Sequence, residues 1–158
     1  MSLLAGVLAA QVATGAVCAE ERLDLRHEGM SAEFTVEVAD DAEERAQGLM
    51  FVENMPRRSG MLFVYEEPQS VAFWMKNTEI PLDIIFAGSD GVVRRVAPMA
   101  TPHDLTPIPG GDDIQYVLEI NGGMAKMLGI EEGAEMRHPA IADAAWSCAL
   151  PDDAISPQ

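Results

Sequence analysis

The chain has 158 residues, 48% of them apolar, and 26 acidic against 10 basic side chains, for a net charge of −16. A domain of this length can hold a core without metal or disulfide, and the apolar content excludes wholesale disorder. The charge excludes nucleic acid, whose phosphates need a basic footprint, and opposes docking on an anionic membrane surface.

Residues 1–19 carry no charged side chain, and Leu3–Val17 is an almost continuous apolar run that gives way to Glu20-Glu21-Arg22. Val17 and Ala19 supply the small residues for a cut after Ala19. The segment reads as a secretory signal peptide of an exported, periplasmic protein, although no Lys or Arg stands near Met1. Retention as an anchor is the alternative; after cleavage no stable membrane insertion is expected. Val17 before Cys18 fits a lipid-attachment box poorly. With Cys18 removed, Cys148 is the one cysteine left, so no internal disulfide is expected and Cys148 reads as a small hydrophobe beside Trp146.

Residues 20–31 read as a lead-in to a domain spanning 32–142. Phe34, Val36 and Val38 alternate with polar residues as a half-buried strand. A short helix follows, capped by Asp40 with Glu43 three residues on, and Val52–Gly60 reads as a loop. Met61–Tyr65 suits a strand buried on both faces, Val71–Lys76 is a further strand, and Leu82–Ala87 another. Asp90-Gly91 predicts a hairpin into Val92–Val96. Pro98–Asp113 holds four prolines and two glycines in sixteen residues and reads as one long loop of the kind that binds ligands. Gln115–Ile120 is a strand, Met124–Leu128 a helical turn or two, and Ala134–His138 extended. Residues 143–158 read as a loose tail. The expected fold is mainly β: a compact, antiparallel, barrel-like sheet of six or seven strands with two short helices.

Gly48-Leu49-Met50-Phe51, Gly60-Met61-Leu62-Phe63, Phe73-Trp74-Met75-Lys76-Asn77-Thr78, Ile80–Phe86 and Tyr116-Val117-Leu118-Glu119 together resemble the signature of the DUF192 family, in order and spacing, from about Phe34 to Met136. The resemblance implies a compact β-rich, barrel-like fold. Members are small, largely prokaryotic and often exported, and the family has no assigned function.

The candidate binding residues are Trp74, Lys76, Asn77, Thr78, Asp83, Glu119 and His103. Alternation puts Trp74 and Lys76 on one side of the chain. In the structural reading Lys76 pairs with Asp83 while Asn77 and Thr78 cap a turn. In the functional reading Lys76, Asn77, Thr78 and Asp83 rim a polar cleft closed by Met55–Gly60 and Pro98–Asp113. Glu119 falls on an inward face and is expected to pair with Lys76 or an arginine. His103 is the best histidine candidate, though a loop histidine is usually solvated. His27, His103 and His138 have no zinc spacing, no Gly-x-Ser-x-Gly elbow or phosphate loop occurs, and no cofactor is expected. Nine of the ten methionines lie beyond residue 19; thioethers suit Cu(I), but Met also fills core gaps.

The leading functional expectation is an exported, non-catalytic binding or accessory domain for a small polar molecule, a glycan or a partner protein. The alternatives are an enzyme using Lys76 with Asp83 or Glu119, and a Met-based Cu(I)-binding envelope protein.

Overall fold

The computed structural model describes residues 18–148. The expected leader, up to residue 17, and the end of the expected tail, 149–158, lie outside the described residues. The elements are β1 (Arg22–His27), β2 (Met30–Ala39), α1 (Ala42–Gln47), β3 (Ser59–Phe73), β4 (Leu82–Ala87), β5 (Val93–Ala100), β6 (Ile108–Asn121), α2 (Met124–Leu128) and β7 (Glu135–Arg137). They form one seven-stranded sheet in the order β5-β4-β6-β3-β2-β1-β7. Its two edges meet where Val92 bridges Glu135, and the Met136 amide donates to the Gly91 carbonyl at 2.9 Å. The sheet is therefore curled into a half-barrel, as expected for a mainly β chain.

One pairing departs from the antiparallel expectation. β2 and β3 run parallel, from Thr35 opposite Ser59 to Ala39 opposite Phe63, with α1 in the crossover. The helix starts one residue later than expected. Asp41 is the cap, accepting from the Glu44 amide at 2.8 Å, while the Glu44 carboxylate accepts from the Asp40 amide at 3.2 Å.

The lead-in contributes more than expected. Leu23 and Leu25 are fully buried, so β1 is a working strand between β2 and β7. The long loop is also shorter than expected. β5 reaches Ala100 and β6 begins at Ile108, which leaves 101–107 between them. Pro109 and Gly110 belong to the sheet because the β3–β6 register slips three times between Val64 and Ala72. A bulged stretch tolerates the missing N–H of a proline. At Gly110 a Cβ would stand 2.2 Å from Cδ1 of Phe86, so glycine makes room for that ring.

β3, β4 and β6 pack protein against both faces. Inside the curl lie Leu23, Phe34, Leu62, Ile85, Leu118 and Ile120. Outside it, Phe63, Met75, Leu82, Ile84, Phe86 and Val117 form a second core with Leu49. Every residue of β4 is buried, which explains why all of it but Asp83 is apolar. Met124 and Met136 lie in the first core, Met75 in the second, and Met99 and Met127 are exposed. That dispersion suits packing rather than a sulfur cluster.

The described part of the tail is docked. Trp146 lies between Arg26 and Arg137, whose guanidinium carbons stand 4.6 and 4.1 Å from its ring. Cys148 is bonded to Cys18. This corrects the expectation of a lone thiol, and a cut after Ala19 would discard half of the pair.

Gly60 sits between β2 and β6, and a Cβ there would lie 2.4 Å from the Glu119 carbonyl oxygen. Gly60→Ala should force those strands apart and cost about 2 kcal/mol. Thermal unfolding should show the midpoint lowered by roughly 4–8 °C.

Candidate functional site

The chain leaves the sheet after Phe73 and turns at residues 75–78. The Thr78 amide donates to the Met75 carbonyl at 3.2 Å, and its hydroxyl donates to the Lys76 carbonyl at 3.1 Å. Asn77 takes φ of 52°, a left-handed conformation that asparagine tolerates better than most residues. Two neighbours clamp the turn. The Asn77 carbonyl accepts from the Phe51 amide at 2.8 Å, and the Met75 amide donates to the Asp104 carbonyl at 2.9 Å. Asn77 and Thr78 thus shape a turn, as expected. Met75 is buried, so alternation sends Trp74 and Lys76 outward together, with the Lys76 ammonium 5.1 Å from the Trp74 ring centre.

Beneath this turn lies a pocket of about 210 Å³, lined by the end of α1 and the Gly48–Met50 stretch after it, by β3, by Trp74, Lys76 and Thr78, and by Glu119 of β6. Its back wall includes Phe63 and Phe73, two members of an aromatic ladder that runs on to Phe86 behind them. The Phe63 and Phe73 rings meet edge to face at 4.9 Å, and Phe73 meets Phe86 at 5.8 Å. Arg45 forms one side. Its guanidinium lies 5.0 Å from the Tyr65 ring, donates to the carbonyls of Asp40 (2.6 Å) and Val64 (2.8 Å), and pairs with Glu66 at 3.2 Å.

Glu119 is the unusual member. It is 5% exposed and lines the pocket. Among the described residues it has no hydrogen-bond or ion-pair partner, which corrects the expected pairing with Lys76 or an arginine. Burial without a counter-charge lifts its pKa from the ordinary 4.5 to about 8. The Tyr65 hydroxyl is raised too, by burial first, with Arg45 opposing and the Glu119 charge adding to it.

Asp83 does not join this site. It pairs across β4–β6 with Ile120, one residue from Glu119, so its side chain points through the opposite face of the sheet. There its carboxylate accepts from the amides of Met99 (2.8 Å), Gly123 (2.9 Å) and Ala125 (2.8 Å). Asp83 therefore ties the end of β5 and the start of α2 to the sheet, and the expected Lys76–Asp83 pair does not form. His103 is also elsewhere, exposed in the 101–107 loop and bonded to Glu79 at 3.1 Å. The Met55–Gly60 segment lines a separate groove beside β2.

The pocket thus gathers Trp74, Lys76, Thr78 and Glu119, holds Asn77 in its supporting turn, and omits Asp83 and His103. Sequence reasoning missed Arg45, Tyr65 and Phe73 as lining residues. The signal for Tyr65 and Phe73 lay in the run from Ser59 to Phe73, which is one long strand rather than two.

The DUF192 family model, described as "Uncharacterized ACR, COG1430", matches residues 23–138. No curated protein matches the chain. A protein of unknown function from Novosphingobium aromaticivorans DSM 12444 is a similar solved structure, 41% identical, with TM-score 0.71 over 73% of this chain and 82% of that one. A "putative transcription regulator" from Sinorhizobium meliloti 1021 is 40% identical, with TM-score 0.72 over 77% of this chain and 95% of that one.

Two outcomes test this assignment of roles. Asp83→Ala would strand three backbone donors and should cost about 3 kcal/mol or more, whereas Lys76→Ala, which loses only the Trp74 contact, should stay within about 0.5 kcal/mol of the parent. Urea midpoints of the two variants would show the contrast. Glu119 keeps its proton to about 8 when folded and loses it near 4.5 when unfolded. The folded state therefore binds the extra proton between those values, and this group's contribution to stability falls as pH rises through that window. Tyr65, Arg45 and Lys76 are the other titratable or charged groups lining the pocket. Glu119→Gln should remove a slope on the order of 1 kcal/mol per pH unit, read from unfolding at pH 5 and pH 8.

Proposed function

The chain belongs to the DUF192 family, and from that premise we propose that it is an exported, non-catalytic binding domain whose ligand enters beside the Trp74–Thr78 turn. One observation carries the reading: Glu119 lies 5% exposed on the wall of a pocket with no partner among the described residues. A buried carboxyl group normally has its lone pairs filled. Here the missing partner is the ligand's polar group. Trp74, 48% exposed, offers a flat apolar face at the mouth. The volume of about 210 Å³ equals roughly seven water molecules, which favours a small molecule over a glycan or a protein segment.

Export is supported by the apolar Leu3–Val17 run and by the Cys18–Cys148 disulfide, a bond that persists in oxidising compartments such as the periplasm. Processing would have to spare Cys18. The description of the Sinorhizobium protein as a regulator is not carried over, because a net charge of −16 opposes contact with DNA.

A second reading has its own support. A carboxyl group with a pKa near 8 in a pocket can act as a general acid near neutral pH. The two readings separate under one experiment. A soluble-fragment screen followed by amide chemical shifts should move Trp74, Lys76 and Glu119 together, with the fragments recovered unchanged. Turnover of a fragment, abolished in Glu119→Gln, would favour the enzyme. Fragment shifts confined to other surfaces would remove the pocket from consideration.

A further inference from the structure

Building on the pocket reading, we infer that its ligand is a small zwitterion, an α-amino acid with an apolar side chain, bound with its ammonium at Glu119 and its carboxylate at Lys76. The pocket presents two uncommitted ionisable groups, one acidic and one basic. Among the described residues Glu119 on the wall has no partner, and Lys76, also in the lining, has its ammonium over the Trp74 ring and no ion-pair partner. The third charged lining group, Arg45, is already committed to Glu66 and two backbone carbonyls.

An anion alone would satisfy Lys76 and leave the buried carboxyl unpartnered. A cation alone would satisfy Glu119 and leave Lys76 without a counter-charge. A molecule carrying both charges fits both groups at once. The lining is mixed, and its apolar members Leu49, Met50, Phe63 and Phe73 offer contacts to an aliphatic or thioether side chain. The volume matches a short amino acid better than a peptide. The arriving ammonium also supplies the counter-charge that Glu119 lacks. Glu119 then ionises and its proton passes to solvent, so binding near neutral pH releases up to one proton.

The test uses the full chain with L-valine, L-leucine and L-methionine as probes, and with L-leucinamide and N-acetyl-L-leucine as single-charge analogues of leucine. At least one zwitterion should raise the unfolding temperature and release protons, seen by calorimetry in two buffers of different ionisation enthalpy. For leucine, each single-charge analogue should bind about tenfold weaker or worse. Lys76→Met should erase the discrimination against leucinamide, and Glu119→Gln the discrimination against N-acetyl-leucine. Leucinamide or N-acetyl-leucine binding as tightly as leucine overturns the zwitterion. So does silence from all three amino acids while neutral fragments still occupy the pocket. Silence from the amino acids and from every fragment removes the pocket reading as well.

Discussion

A carboxyl group stands near the C-terminal end of β6, in a stretch with protein packed against both of its faces. Alternation turns it away from the curl, and its one outlet among the described residues is the pocket it lines. Leu118 and Ile120 point into the curl, and Glu119 points with Val117 toward the outer core. The free-energy cost of an unpaired buried charge is severe, so burial keeps Glu119 neutral near neutral pH. Everything else about the pocket serves to hold that group in place. The Phe63–Phe73–Phe86 ladder fixes the back wall, and the clamped turn at Met75–Thr78 fixes the mouth.

Two carboxylates in paired strands show how environment assigns roles. Asp83 and Glu119 are offset by a single residue across β4–β6, yet they face opposite sides of the sheet. Asp83 meets three backbone N–H groups, which fill its lone pairs and make it a structural bolt. Glu119 meets none and borders open space. Residue type does not distinguish them; the donors supplied by the surrounding chain do.

Much of the fold was legible because it is local. The β-rich run at Leu82–Ala87, the Asp90-Gly91 turn and the alternation at Trp74–Lys76 each express a period or a turn residue. What was illegible depends on distant partners. The parallel match of β2 to β3 leaves no mark on either strand alone. Pro109 and Gly110 looked like loop residues because bulges in β3, far away in sequence, make a strand of them. Lys76 and Asp83 looked like a pair because they are close along the chain, although the sheet separates them. The inward position of Glu119 followed from alternation; its lack of a partner could be seen only once β3 and α1 were in place.

The Cys18–Cys148 bond joins positions 130 residues apart and holds their α-carbons 5.7 Å from each other. Whatever chain precedes the first cysteine and follows the second therefore leaves the domain from a single point, beside β1 and β7. Tension applied between those two segments would run through the sulfur atoms and bypass the strands. The curled sheet would hang from that knot like a bead on a closed loop, the pocket beside Glu119 mechanically shielded from any tug on either end.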